Sequence, residues 1–435
     1  MKTKGRVVRG HIVTFDEQPC RKMADDCLTE IENGAIAISD TGRISWLGDF
    51  SDLPGEYADQ NVDDHGKCLI LPGFIDAHLH FPQYRMIAAY GKDLLDWLDR
   101  YTFVEEQKYQ DPVHAAHAAG CFLSELTNNG ITGAMVFSTI HPEALDALFC
   151  AARKQNRAIV SGKTMMDRRA PAGLCDTAST SYVQSKALIE KWHGVGRLEY
   201  AITPRFAVTS TESQLELAGT LCREFPQCRM QTHLSENTGE IDTVAKDFPW
   251  SKDYTDVYDR FGLLGSKSFF AHSIHLGERE LSRLQESKST LVHCPTSNNF
   301  LGSGLMPFKS FEDMNISLAV GCDIGGGTSF SMLQTLGEAY KVSQLSGTRL
   351  SAFDAFYYAT LGNARALQMD NEMGMLKEGY WSDLVVLDPC ATPIMKERHT
   401  LSGSLHDVLF ALMIMGDDRA IRQTYIAGVP CKATL

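Results

Sequence analysis

Leu69-Ile-Leu-Pro-Gly-Phe-Ile-Asp-Ala-His-Leu-His80 is the stretch whose reading decides the fold of this 435-residue chain. It begins as a continuous apolar run and ends by placing Asp76, His78 and His80 at every second position. On a strand, alternate residues share a face, so these three are expected to point the same way. Neutral imidazole is the commonest side-chain metal ligand, and two on one strand face can grip one ion. A lone His-x-His is a weak signal, and ordinary histidines near a strand end would look the same. The test is whether other strand ends supply the missing ligands.

Outward from this stretch, apolar strand-like runs alternate with helical ones, the pattern of a parallel sheet with crossover helices. The strand-like runs are residues 69–80, 133–138, 158–166, 200–204, 229–233, 268–272, 290–294 and 317–323. Helical patterns cover 114–128, 143–155, 181–193, 213–224 and 278–286, and 352–367 closes the series. Eight strand-like runs, most of them followed by a helical stretch, predict an α/β fold, a TIM-type (β/α)8 barrel whose chemistry sits at strand C-terminal ends. Before the barrel come short β candidates at 6–15, 35–40 and 43–47, with Asp40-Thr-Gly42 as a turn. After it, 383–388 and 421–427 return to β character around a helical 404–415. The expected organisation is a barrel over 70–372, with 1–69 and 373–435 combining into a small β-sandwich domain.

Composition limits the function classes. A 44% hydrophobic, 22% charged chain is an ordinary globular protein with enough apolar residues for a large core. A formal net charge of −13 argues against a nucleic-acid backbone or an anionic membrane as the main partner. Twelve cysteines without a CxxC pair fit a reduced, cytoplasmic protein rather than a disulfide framework. The basic first residues lack a following apolar core, so no secretory signal is read there. No apolar run approaches the ~18–20 residues that span a bilayer.

Several strand ends now read as chemistry. Gln231-Thr-His233-Leu-Ser-Glu236 gives a histidine and a carboxylate three residues on; Ala271-His272 gives another imidazole. Gly321-Cys-Asp323-Ile-Gly-Gly-Gly327 gives an acid followed by glycines that let the backbone turn close to a bound group. His78, His80, His233 and Asp323 together supply three neutral nitrogens and one carboxylate. That set suits zinc with a water in the remaining position, and iron(II) accepts it too.

With these residues in place the chain resembles the amidohydrolase superfamily, in its mononuclear deaminase branch. The resemblance rests on Pro72–His80, His233-x-x-Glu236, His272, Asp323 and the closing Gly374-Met-Leu-Lys-Glu-Gly379-Tyr-Trp-Ser-Asp383. Dinuclear members carry a bridging lysine on the fourth strand; here Tyr200-Ala-Ile-Thr-Pro has none and Lys163 lies on the third. The resemblance therefore implies one metal per chain. Phe81-Pro-Gln83, Leu94-Leu-Asp-Trp97-Leu-Asp-Arg-Tyr-Thr-Phe103, Met165-Met-Asp-Arg168, Thr203-Pro-Arg205-Phe206 and His293-Cys-Pro-Thr-Ser-Asn298 narrow it to the members that act on guanine. Val104 departs from the pattern, which leads one to expect proline there, in what reads as a loop.

The base itself points the same way. Guanine is flat and neutral, with acceptors at O6 and N7, and a guanidinium fork such as that of Arg205 can donate to both. Gln83 can donate and accept, and its counterpart in the family contacts the base; Phe206 and Trp97 are candidates to stack on or cover the ring. Arg205 as a structural ion-pair partner and Trp97 as core remain the plainer alternatives. The resemblance further implies Glu236 as proton shuttle, with His272 and Asp323 holding the attacking water oxygen, and a homodimer as the assembled form. Two other functions stay open at this level. One is deamination or dechlorination of another heterocycle such as a pterin, cytosine or a triazine; the other is a non-catalytic interaction scaffold.

Overall fold

The computed structural model describes residues 5–19, 27–92 and 94–432. Its centre is a ring of parallel strands: Phe74–His80, Ile131–Phe137, Ala158–Gly162, Leu198–Pro204, Arg229–Leu234, Ser268–His272, Thr290–His293 and Ser317–Val320. Each pairs in parallel with the next, and helices such as Pro112–Asn128 and Pro142–Lys154 run back between them. This is the TIM-type (β/α)8 barrel.

The crossover helices follow from local sequence. Pro112–Asn128 starts where Asp111 accepts a hydrogen bond from the Val113 amide and Pro112 needs no donor, a cap contributing about 1 kcal/mol. Ala115, Ala118, Ala119, Phe122, Leu123 and Leu126 recur at helical spacing and form its buried stripe. Inside the barrel the strands contribute mainly small or slender side chains, including Ala77, Val160, Ala201, Ala271, Val292 and Ala319, packed with Ile75, Met135 and Phe269.

Three expectations need correction. The run 69–80 is not one barrel strand. Asn61–Pro72 pairs with Arg6–Phe15 and Leu384–Leu387 in the small domain, and the barrel begins only at Phe74. Gly73 makes the break possible, because a Cβ there would lie 2.2 Å from Thr132 Oγ1. The expected helix 352–367 is Ala352–Tyr357, a wider π turn over Tyr358–Gly362, and Asn363–Ala366. Val104 lies in the helical turn Phe103–Glu106, with its side chain outward, rather than in a loop.

The broken helix positions Asn363 at the barrel seam. Its Nδ2 donates to the carbonyls of Ile75 (2.7 Å) and Val320 (2.8 Å), and its Oδ1 accepts from the Val320 amide at 2.9 Å. One buried side chain thus ties the first strand to the eighth. At the other end of the same seam the Asp323 amide donates to the His78 carbonyl (2.8 Å) and the His80 amide to the Ile324 carbonyl (2.5 Å).

The small domain is built on one seven-stranded sheet. Val429–Pro430, Ile421–Ile426 and Leu384–Leu387 lie on one side of Asn61–Pro72, and Arg6–Phe15, Leu28–Ile38 and Ile44–Asp49 on the other. Segments from both ends of the chain therefore share a sheet, through pairings no local pattern specifies. No helix among the described residues is long and apolar enough to cross a membrane.

Candidate active site

The C-terminal ends of the first, fifth, sixth and eighth strands bring His78, His80, His233, Glu236, His272 and Asp323 together. His78 Nε2 and His80 Nε2 stand 3.2 and 3.3 Å from Asp323 Oδ1. The Nε2 atoms of His80 and His233 face each other at 3.2 Å. His272 Nε2 is 3.4 Å from Glu236 Oε2 and 3.8 Å from Asp323 Oδ2. All are buried.

Strict alternation along the first strand fails here. Its pairing is irregular between Asp76 and Leu79, and Asp76 accepts hydrogen bonds from the amides of His78 and Cys322 instead of joining the cluster. Gly321 lets the eighth strand close in, since a Cβ there would lie 2.7 Å from the His78 nitrogen. His272 and Asp323 themselves hold left-handed φ values of 68° and 51°, conformations that cost a non-glycine residue about 1–3 kcal/mol and cluster at functional sites.

The donor set fits a divalent cation. The Nδ1–H of His233 donates to the Arg205 carbonyl at 2.7 Å, which leaves Nε2 as a bare lone pair. His78 Nε2 is buried without a hydrogen bond although Asp323 lies beside it, an orphaned atom that a metal would satisfy. Burial pushes the His80 imidazole down to about 3 and lowers His233 and His272 as well, so all three favour the neutral form that can ligate. Burial alone would raise Asp323, but His78 and His80 beside its oxygens, and then His272, hold it well below the carboxylate range. Lys163 stands apart from the cluster, in a buried ion pair with Asp176.

Glu236 is different. Burial, then the charge of Asp323, pushes its carboxyl up to about 8. Ser303 Oγ donates to its Oε1 at 2.9 Å, and the Glu236 amide donates to Glu240 Oε1 at 2.9 Å. Glu240 is itself buried and raised to about 8, by burial first and then by Glu236.

A pocket opens over the cluster. His80, His233, Glu236, His272 and Asp323 form its floor; Gln83, Trp97, Arg205 and Phe206 also line it. Arg205 does two things at once. Its Nη1 donates to both oxygens of buried Glu106, at 2.9 and 3.1 Å, while the side chain borders the pocket. Gln83 Nε2 donates to the same Glu106 Oε1 at 2.8 Å, and Gln83 Oε1 accepts from the Gly325 amide at 3.3 Å. Trp97 is 3% exposed, both core and pocket wall.

Glu106, Ser303 and Glu240 were not singled out by sequence reasoning, and Asn298, whose Oδ1 lies 2.8 Å from His272 Nδ1, entered it only as the end of the motif His293–Asn298, with no role given. Only Glu240, one helical turn beyond Glu236, carries a local spacing that could have drawn attention.

The chain belongs to the amidohydrolase family, whose sequence profile matches residues 69–431. Within that family its similarity is to guanine deaminases. The Escherichia coli guanine deaminase is 48% identical over 399 residues, covering 92% of this chain and 91% of that protein. The solved E. coli guanine deaminase structure superposes with a TM-score of 0.94 at 45% identity, covering 98% and 99% of the two chains. The guanine deaminase from C. acetobutylicum, solved with guanine in its active site, gives 0.88 at 30% identity, covering 98% and 100%.

Proposed function

We propose that this chain deaminates guanine hydrolytically at C2, giving xanthine and ammonia. The observation that carries the reading is one pocket with a metal-ligand cluster and buried glutamate on its floor and an Arg205–Gln83 pair on its wall, in a chain so similar to guanine deaminases.

The residues proposed to hold the metal are His78, His80, His233 and Asp323, one ion per chain, and the three-nitrogen, one-carboxylate set suits zinc. A divalent cation held there supplies Lewis acidity that lowers the pKa of a water towards ~7. Glu236, whose Oε2 lies beside His272 on the pocket floor, takes a proton from the attacking water and passes it to ring N3. Ser303 keeps one Glu236 oxygen in place. His272 and Asp323 hold the attacking oxygen as it adds to C2, and a further proton transfer to the exocyclic nitrogen lets ammonia leave. Arg205 donates to the O6/N7 edge, Gln83 contacts the base beside it, and Phe206 and Trp97 cover the ring. The assembled form is proposed to be a homodimer, working in the cytoplasm.

The test is ammonia release from purified enzyme with guanine, adenine, cytosine, a pterin and a triazine. Guanine is expected to give the highest kcat/KM by at least tenfold; equal or better turnover of another ring overturns the assignment.

A further inference from the structure

We propose that Glu106 is the residue that sets the pocket's ligand specificity, by orienting Gln83 and Arg205 together and cancelling the arginine's charge, so that neutral rings are admitted over anions. The proposal rests on the reading of Gln83 and Arg205 as base-contacting groups.

The geometry is specific. Glu106 has no exposed side-chain surface, and its Oε1 accepts from Gln83 Nε2 and Arg205 Nη1 at 2.8 and 2.9 Å. A carboxylate only accepts, so the Gln83 amide must turn its nitrogen to Glu106, and the Gly325 amide takes its oxygen. Orientation is thereby settled: one N–H and one lone pair of Gln83 remain for a ligand. Among the described residues the guanidinium of Arg205 has no hydrogen-bond acceptor besides Glu106, so its Nε–Nη2 edge is left to the ligand. Residues Gln83 and Arg205 come from two different barrel loops, after the first and fourth strands, and Glu106 is the atom-level link between them.

Charge gives the second consequence. A lone buried guanidinium is an anion site, because in a low-dielectric surrounding it seeks a negative partner. Glu106 supplies that partner permanently. The wall then offers directional donors with no net charge, which favours a neutral ring with acceptors over a carboxylate or other anion of the same shape.

Glu106→Gln keeps the shape and an acceptor oxygen but removes the charge. Two competitive inhibitors separate the possibilities: hypoxanthine, neutral with the O6/N7 edge, and purine-6-carboxylate, which puts an anion where O6 would be. In Glu106→Gln the hypoxanthine Ki is expected to rise and the purine-6-carboxylate Ki to fall, each on the order of tenfold, with metal content unchanged. Loosened structure alone would weaken both, and parallel weakening, or no change, overturns the proposal. If Glu106→Gln does not fold, Glu106→Asp keeps the charge but retracts from Gln83; it should weaken hypoxanthine while still excluding the carboxylate, and unchanged hypoxanthine binding overturns the proposal. Wild-type enzyme should itself bind hypoxanthine more tightly than purine-6-carboxylate, and the reverse order also overturns it. Wild-type turnover of guanine is measured alongside. Its absence would defeat the proposed function, whereas normal turnover with parallel inhibitor shifts defeats only the role of Glu106.

Discussion

The Arg205 carbonyl accepts the Nδ1–H of His233 at 2.7 Å. The residue whose guanidinium borders the pocket wall therefore fixes, through its backbone, the tautomer of an imidazole on the pocket floor. Pocket wall and pocket floor are one mechanical unit, because the fourth strand delivers Arg205 directly beside the end of the fifth. The expectations below follow from that arrangement.

Elemental analysis of purified protein should return one divalent metal per chain. His78→Ala and His233→Ala should each lose metal and activity together, since each removes one of the nitrogen donors that converge on the proposed site. Chelation should abolish turnover and zinc should restore it. Two metals per chain, or a modified Lys163 within the site, would overturn the one-ion assignment.

Glu236→Gln should retain metal and lose kcat by about 10²–10⁴-fold, the usual contribution of a general acid–base group, towards the upper end because two proton transfers use it. Steady-state kinetics with metal quantitation decides this. Retention of more than about a tenth of kcat would remove Glu236 from the shuttle role.

Arg205→Lys is a better probe of base recognition than Arg205→Ala. Alanine would strip buried Glu106 of its only charged partner and leave it the neutral Gln83 amide, at a cost of about 3–5 kcal/mol, and confuse stability with binding. Lysine keeps the charge and loses the two-pronged contact. Guanine kcat/KM should fall by about 10–100-fold, as expected for one charge-assisted hydrogen bond lost, with metal content preserved. Kinetics near wild type would make Arg205 purely structural.

Asn363→Ala should destabilise the barrel without touching the pocket. It deletes three buried hydrogen bonds and orphans backbone groups on the first and eighth strands, a loss of about 2–4 kcal/mol. Denaturant melts should show a lower midpoint while kcat of the folded fraction stays within about twofold. An unchanged midpoint would mean the seam is held by the Asp323 and His80 backbone bonds alone.

Glu240 gives a pH signature in stability. Its folded pKa is raised from 4.5 to about 8, by burial and then by Glu236, so the folded state holds a proton that the unfolded state has released across that window. Stability should therefore fall as pH rises from about 4.5 to 8 and level off above. Glu240→Gln keeps the acceptor for the Glu236 amide but cannot ionise, so its advantage over wild type should grow across that range. Parallel melting curves for the two proteins from pH 5 to 8 would count against a buried, protonated Glu240.

The sequence alone determined the barrel and the floor of the pocket. Strand and helix periods are local, and the barrel's topology sends every strand's C-terminal end to one face, so residues hundreds of positions apart, such as His80 and Asp323, could be placed together from spacing alone. Tertiary structure decided the partners. Glu106 meets Arg205 across 99 residues and Ser303 meets Glu236 across 67, through loops whose course no periodicity encodes. It also decided where the first strand ends and begins, at Gly73, and how Asn363 in a widened helical turn closes the ring. A repeat pattern carries which face a residue shows; which group that face meets depends on the packing of elements distant in the chain, and that information exists only once the chain is folded.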